Sequence, residues 1–303
     1  MTTGVLVMAY GSPRHPDDVE AYYTHIRRGR PPSPEQLADL VGRYRAIGGT
    51  SPLAARSEDQ RATIAAVLER RAPGEFVVAL GHKHAPPFIE DAVATLKAHH
   101  VTRVVVLALA PHSSSAVVQY HERACAAAGP VGLEYLSVAS WHLEPALIAF
   151  LDRAVRDASA TLPSPPKIIF TAHSLPQRHD EESDAYRAHL RETAAAVARR
   201  TGLAEWSQWA IAWQSAGRTP EPWMGPDILT VLRDLGGSEG AQSVVICPCG
   251  FVADHLEVLY DLDIEAARVA RELGLVFART RSVNADAAVM DALAALVVAK
   301  AAT

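Results

Sequence analysis

Short apolar runs that alternate with longer, charge-bearing stretches constrain this chain more than any other feature. GVLVMA (4–9), FVVALG (76–81), RVVVLALA (103–110), 133–138, KIIFTA (167–172), WSQWAIAW (206–213) and SVVIC (243–247) each read as a short strand. Residues 17–29, 35–45, 58–71, 88–99, 115–128, 143–160 and 183–200 read as helices between them, and another follows Pro226. Residues 286–300 read as a closing amphipathic helix. Strands that are apolar along their whole length belong in a parallel sheet covered on both faces, and helices between them supply the crossovers. The expected fold class is α/β.

The proline-rich LPSPP (162–166) divides the chain near its middle, and the same grammar restarts beyond it. There is an internal echo. VLVMAYGSP (5–13) and KIIFTAHSLP (167–176) are both apolar strands running into alanine, a ring-bearing residue, a small residue and a proline. LALAPHSS (107–114) and VVICPCGF (244–251) both run from strand into a proline loop. The expectation is two similar Rossmann-like, doubly wound parallel-sheet domains facing each other across a cleft. Residues 1–145 with the C-terminal helix 284–303 would form one, and 146–283 the other. Open α/β sheets bind ligands at the carboxyl ends of their strands. Tyr10 and His173 are therefore expected on opposite walls of one cleft.

Composition narrows the partners. A net charge of −5 over 303 residues argues against sequence-independent nucleic-acid binding. No apolar run approaches the roughly 20 residues that span a bilayer. The opening MTTGVLVMAYG goes straight into a strand pattern without a basic leader, so no signal peptide is expected. Three cysteines suit a reducing compartment and make a disulfide framework improbable. A cytoplasmic globular protein is the expectation.

The densest chemistry lies in SVVICPCGFVADHLEVLYDLDIE (243–265). Asp254 stands where a helix N-cap is expected, and Glu257, Asp261 and Glu265 follow at i, i+4 and i+8, one row on one helical face. Like charges at that spacing destabilise a helix by a few tenths of a kcal/mol per pair. The row is either a solvated acidic face or a place for a cation. His173 ends an apolar strand, where an imidazole can act as base or metal ligand near neutral pH. His84 and Tyr10 fall at the same sheet edge, and imidazole with carboxylate suits a first-row divalent metal. Arg27, Arg28, Arg30, Arg43 and Arg45, with Tyr44 and Ser51, form a basic, hydroxyl-bearing patch. Its plain reading is a solvated helix face; its sharper reading is recognition of ligand carboxylates. Cys247 and Cys249 read as buried small hydrophobes, and with Cys125 they fall short of the four thiolates of an iron–sulfur cluster. No GxxxxGK[ST], GxGxxG or GxSxG is present, so nucleotide and serine-hydrolase chemistry have no motif here.

VLVMAYGSP (5–13), YYTHIRRGR (22–30), RYRAIGGTSPLA (43–54), FIEDAV (88–93), TAHSLP (171–176), WQSAGRTPEPWMGPD (213–227) and GFVADHLEVLYDLD (250–263) together resemble the ferrochelatase family over nearly the whole chain. Within it, the chain is most similar to the soluble bacterial enzymes that place ferrous iron in coproporphyrin III to give coprohaem. The resemblance implies a chelatase-like fold around a porphyrin-binding cleft, with His173 and Glu257 as the catalytic pair. It implies that His173, Glu257, Asp261, Glu265 and His84 handle metal, and that the helix bearing the acidic row contains a π-type turn. Tyr10 would approach the macrocycle from the other face, and Arg27, Arg28, Tyr44, Ser51 and Tyr120 would bind substrate. Iron is then a substrate, with no permanent cofactor, no iron–sulfur cluster and an accessory divalent cation at the acidic row. The implied partners are the porphyrin, ferrous iron and transiently a coprohaem decarboxylase; the implied state is a monomer with no stable membrane insertion. Two departures from the family pattern stand out: PHSSSAVVQY (111–120) is one residue short, and the stretch between Pro176 and Ala185 is compressed. The alternatives are another tetrapyrrole chelatase, inserting cobalt or nickel, and a non-catalytic porphyrin or haem carrier. A metal-binding protein with two α/β lobes of the periplasmic type is disfavoured by the missing leader.

Overall fold

The computed structural model describes residues 2–178, 180–204, 207–217, 219–237 and 241–303. Its first half runs β1 (Thr3–Ala9), α1 (Val19–Ile26), α2 (Pro34–Ala46), α3 (Leu53–Arg71), β2 (Phe76–His82), α4 (Ile89–Ala98), β3 (Arg103–Ala108), α5 (Ser115–Ala128) and β4 (Glu134–Val138). Next come α6 (Pro145–Ala160), β5 (Lys167–His173), α7 (Glu181–Thr201), β6 (Trp209–Gln214), α8 (Ile228–Gly236), β7 (Ser243–Cys247), a π-helix (Val258–Ala266), α9 (Ala267–Glu272), β8 (Val276–Arg279) and α10 (Ala287–Ala301). Of the strand expected over 206–213, Trp206 lies outside the described residues.

All strand pairs are parallel, in two sheets of order β2-β1-β3-β4 and β6-β5-β7-β8. The orders superpose term by term. The sequence echo therefore marks equivalent places, β1 with β5 and β3 with β7. β1 and β7 are buried at every residue, as central strands of a covered sheet must be. β8 escaped the sequence reading because it is short and its first residue, Val276, is exposed.

One apolar cluster joins the two sheets, running from Val5, Val7 and Val105 through Ile64, Phe150, Leu190 and Leu293 to Phe170 and Val245. The outer faces have clusters of their own. Leu6, Met8, Val104 and Val106 pack under α4 and α5, and Ile169, Val244 and Ile246 under α8, the π-helix and α9. Leu162 of the expected linker packs on the shared cluster. The closing helix corrects an expectation: α10 is apolar nearly all round rather than amphipathic. It buries Val289, Met290, Leu293, Ala294 and Val297 against α3, α6 and β4, and its Asp291 pairs with Arg71 at 2.6 Å.

Local signals set the helix ends that frame the cleft. Ser33 Oγ accepts from the Gln36 amide while Gln36 Oε1 accepts from the Ser33 amide, a capping box with Pro34 in the first turn. Asp180 caps α7 through the Ser183 amide at 2.8 Å, and Gly202 closes it at φ +83°.

Candidate active site

His173 is the last residue of β5, carried to the carboxyl edge of its sheet by the buried run Ile168–Ala172. The loop after β7 folds directly over it. A Cβ on Gly250 would lie 2.3 Å from Ala172 Cβ, so only glycine allows the loop this close, and the Gly250 amide donates to the Thr171 carbonyl at 3.0 Å. The helix that follows begins by pointing Glu257 back at His173, with Oε1 3.5 Å from Nε2. Glu257 Oε2 lies 3.7 Å from His255 Nε2. Thr171 Oγ1 donates to Gln214 Oε1 at 2.8 Å, and Gln214 Nε2 donates to the Glu257 carbonyl at 3.4 Å, tying the helix start to β5 and β6. His173 Nδ1 meets the Ser174 carbonyl, which can only accept, so that nitrogen carries a proton and Nε2 is the one that faces Glu257. The Tyr186 hydroxyl donates to the His173 carbonyl at 3.1 Å.

The backbone over Val258–Ala266 is a π-helix, as the resemblance implies. It carries the acidic row inward from the surface: Glu265 is half-buried, Asp261 buried, and Glu257 opens on the cleft. Burial opposes a charge on His173, but the Glu257 carboxylate outweighs it, and with the Ser174 carbonyl and Asp261 raises the imidazole to about 9. Burial alone would push Glu257 up; the charge of His173, with His255 and Arg43, holds it at about 2. Asp261 goes the other way, to about 7, because burial and the Glu257 charge outweigh its bond from Ser215 Oγ and the pull of Arg43, whose Nη1 stands 3.6 Å away. Both members of the His173–Glu257 pair keep about a third of their side-chain surface open (33% and 36%), so solvent screens the pair. Glu257 and Asp261, four residues apart, are thus pushed to opposite sides of the ordinary carboxylate range.

The opposite wall comes from the first half. Tyr10 follows β1 directly and is 37% exposed, and the ring of His84 packs on it at 4.6 Å between centroids. His84 Nδ1 meets His25 Nδ1 at 3.0 Å. Burial and the charge of Lys83 hold His84 down at about 3, so it is neutral at physiological pH. Beside them opens a cavity of about 560 Å³ lined by Tyr10, His25, Arg28, Lys83, Gln119 and Arg123. Its charged lining is cationic: Arg123 is held at 2.6 Å by Glu90 from outside it, and burial followed by Arg123 and Arg28 lowers Lys83 to about 8.

Of the other expected residues, Arg28 alone is in the lining of this cavity. Arg28 lines it from a left-handed position, φ +57°, whereas Arg27 turns back to the Arg30 carbonyl. Tyr44 and Tyr120 are buried, their hydroxyls pushed up by burial and then by Glu257 and Tyr10, and the Lys83 ammonium sits 5.5 Å above the Tyr120 ring. Ser51 is buried and accepts from the Leu53 amide at 3.2 Å. His173, Glu257 and Asp261 are brought together in one row, while His84 stands with Tyr10 on the other wall.

Several readings need correction. Asp254 is not the helix N-cap: it accepts from Ser282 Oγ and Asn284 Nδ2 at 2.8 and 2.9 Å and pairs with Arg279, while His255 Nδ1 accepts the Val258 amide. Arg43, grouped by sequence with a carboxylate-binding patch, serves Asp261 and stacks 5.0 Å over the Tyr260 ring. Ser215, at φ +61°, and Gln214 were missed, because their partners lie more than 40 positions away and nothing local marks them.

Comparison with known proteins identifies relatives over nearly the whole chain. A family described as "Ferrochelatase" matches residues 2–301. The protein named coproporphyrin III ferrochelatase of Geobacillus thermodenitrificans is 44% identical over 98% of this chain and 95% of its own length. Its namesake from Bacillus subtilis is 44% identical over 98% and 97%. Among solved structures, SirB from Bacillus subtilis with Fe3+ covers 100% of this chain and 96% of its own at a TM-score of 0.63 and 12% identity. CbiX, described as the terminal enzyme of sirohaem biosynthesis in denitrifying bacteria, covers 99% of each chain at 0.53 and 14%. Those two share the fold, two parallel α/β sheets across a cleft. The sequence matches reach further, and they place this chain in the ferrochelatase family.

Proposed function

We propose that this protein inserts ferrous iron into coproporphyrin III, giving coprohaem on the route to haem. The observation that carries this is the His173–Glu257 pair at the head of the acidic π-helix, facing Tyr10, in a chain 44% identical to proteins named for that reaction. The cationic rim of Arg28, Lys83 and Arg123 supports a propionate-rich porphyrin over a less carboxylated one.

Insertion exchanges two pyrrole N–H protons for one Fe2+. In the resting pair the proton sits on His173 and the negative charge on Glu257. A cation arriving at Glu257 repels the imidazolium and discharges its proton to the helix, where Asp261, poised near neutrality, takes it and Glu265 returns it to solvent. His173 Nε2, now bare, accepts one pyrrole proton, passes it out along the same carboxylates, and then accepts the second as iron enters the ring, which restores the resting pair. Metal inward and protons outward share one row of carboxylates, so its members titrate as a coupled set. Tyr10 and the neutral His84 supply an uncharged surface for the other face of the macrocycle. In the same reading Tyr44, Ser51 and Tyr120 shape the substrate's bed, and Asp261 with Glu265 holds an accessory divalent cation. Iron is substrate, no iron–sulfur cluster takes part, and the protein works as a cytoplasmic monomer that passes coprohaem to a decarboxylase. We assign residues 1–145 with 284–303 to the Tyr10 wall and 146–283 to the His173 wall. No helix among the described residues is long and apolar enough to cross a membrane.

An anaerobic absorbance assay tests the proposal. Protein, ferrous iron and either coproporphyrin III or protoporphyrin IX are mixed, and the collapse of the free-base visible bands is followed. Coproporphyrin metallated faster than protoporphyrin, and not by His173→Ala, is the expected result. Porphyrin binding without acceleration over buffer would make the protein a carrier; acceleration with cobalt or nickel alone would make it a different chelatase.

A further inference from the structure

Outside the cleft, the loops after β3 and β4 meet α7 in a cluster of histidines that iron insertion does not use. His142 Nε2 lies 2.7 Å from Glu192 Oε2, and the His142 and His189 rings stack at 3.8 Å and 15°. One donor atom from each of His142, His189 and Glu192 lies within 4.8 Å of the other two, the single such trio among the described residues. His112 stands behind, its ring 5.9 Å from that of His142.

Hydrogen-bond bookkeeping leaves this cluster incomplete. Thr193 Oγ1 donates to the carbonyls of His142 and His189, both at 3.0 Å, so at 2.9 Å it accepts from His112 Nε2–H. His112 Nδ1 is then a bare lone pair, buried without a partner. His142 is alike: its Nε2–H goes to Glu192, and Nδ1 is buried without a partner although the residue is only 8% exposed. Buried lone pairs left without a donor are uncommon in folded proteins and ask for an explanation.

We propose that His142, His189 and Glu192 form a second cation site that takes a divalent first-row transition ion of the zinc, cobalt or nickel type. Two imidazoles with one carboxylate favour such ions over magnesium or calcium, which prefer oxygen throughout. Glu192 is half exposed, which leaves an entry path and an open coordination position. Binding takes the His142 Nε2 lone pair beside Glu192, the ring proton shifting to Nδ1, and at His189 it exchanges the amide bond from Ser113, now 3.1 Å from Nδ1, for a metal–nitrogen bond. The ion would tie the loop after β4 to α7, the helix whose Tyr186 holds the His173 carbonyl.

Zinc alone is the probe, and the readout is binding, which stands apart from iron insertion. Chelator-stripped protein carrying His173→Ala, Glu257→Gln and Asp261→Asn, so that zinc in the cleft and its acidic row is not counted, is titrated against a chromophoric zinc chelator. One equivalent of micromolar or tighter zinc is expected, along with a zinc-dependent rise in thermal midpoint. Adding Glu192→Gln or His189→Gln, both at partly exposed positions, should weaken that equivalent at least tenfold and abolish the thermal shift, while the circular dichroism is unchanged. If the cleft variant holds no micromolar zinc, or if Glu192→Gln and His189→Gln leave its binding intact, the site does not exist.

Discussion

β1 ends at Ala9 and hands on to Tyr10, and β5 ends in Ala172-His173, each strand second in its sheet and each followed by a small residue and a proline loop. Each place is also braced the same way. Tyr22 of α1 donates to the Gly11 carbonyl at 3.1 Å, and Tyr186 of α7 donates to the His173 carbonyl at 3.1 Å. The chemistry mounted on the two frames is opposite. The first frame carries an uncharged pair, Tyr10 on His84, rimmed by Arg28, Lys83 and Arg123. The second carries the charged pair His173–Glu257, backed by the acid Asp261. One backbone solution thus serves two jobs: a cationic rim beside a neutral face can hold a flat, carboxylate-bearing ligand, and a proton-loaded pair can exchange those protons for a metal. The difference arises after β3 and β7. The loop after β7 feeds a π-helix with three acids; the loop after β3 feeds α5, which places Tyr120 and Arg123 instead.

The comparison breaks most severely at His173. His173→Ala removes the base while leaving the first wall intact, and general base catalysis is worth roughly 10²- to 10⁴-fold. The rate of iron insertion should fall by about that factor, with porphyrin affinity, followed by fluorescence quenching, little changed. A comparable loss of affinity would mean that His173 belongs to the binding wall. Glu257→Gln sharpens the point. Without the carboxylate the main influence raising His173 is gone, so its NMR titration midpoint should drop from about 9 by more than one unit, a change of over about 1.4 kcal/mol in the relative stability of its protonated form. A raised His173 stabilises the fold below its ordinary 6.5 and loses that contribution as pH climbs through 9. A depressed Glu257 contributes above its ordinary 4.5 and loses that as pH falls toward 2. The stability gap between wild type and Glu257→Gln should therefore be widest between those ordinary values and narrow on both sides; a gap that grows steadily with pH would contradict the pairing.

On the first wall the expected effect is smaller and of another kind. Arg28→Ala removes one cation of the rim. A charge-assisted hydrogen bond is worth roughly 1.5–3 kcal/mol, so KM for coproporphyrin should rise roughly tenfold or more while kcat holds, the mark of lost uniform binding. If kcat falls as well, the two walls share work that the comparison keeps apart.

The parallel sheets and their pairing were legible because the runs of Val, Ile and Leu and the repeated strand-to-proline loops are local signals. His173, Glu257 and Tyr10 were legible because they sit at strand ends and in long motifs. The bracing was not. Gln60 Nε2 donates to the Asn284 carbonyl across 224 positions, Asp254 is satisfied from 282 and 284 rather than by its own helix, and Ser215 reaches Asp261 from another loop. Contacts of that kind depend on how two halves dock, and no periodicity records docking. α10 misled for another reason: Asp291 and Lys300 gave it a polar edge in sequence, but its composition is apolar nearly all round, and only its packing against α3, α6 and β4 picks out the buried face of Val289, Met290, Leu293, Ala294 and Val297.

The two tyrosine braces give the finest test. Tyr186→Phe keeps the ring against Trp213, 5.4 Å between centroids, and removes only the hydroxyl that holds the His173 carbonyl. Tyr22→Phe does the same to the Gly11 carbonyl. Each loses one hydrogen bond, at a net cost on the order of 1 kcal/mol, so neither should unfold the protein. Their kinetic marks should differ, because the carbonyls belong to different walls. With Tyr186→Phe, His173 gains freedom to drift from Glu257, so kcat should fall a few-fold at constant KM. With Tyr22→Phe, Tyr10 and the rim loosen, so KM for porphyrin should rise a few-fold at constant kcat. Identical marks from both would mean that the frames act as one clamp, and that the division between a binding wall and a proton wall lies in the side chains alone.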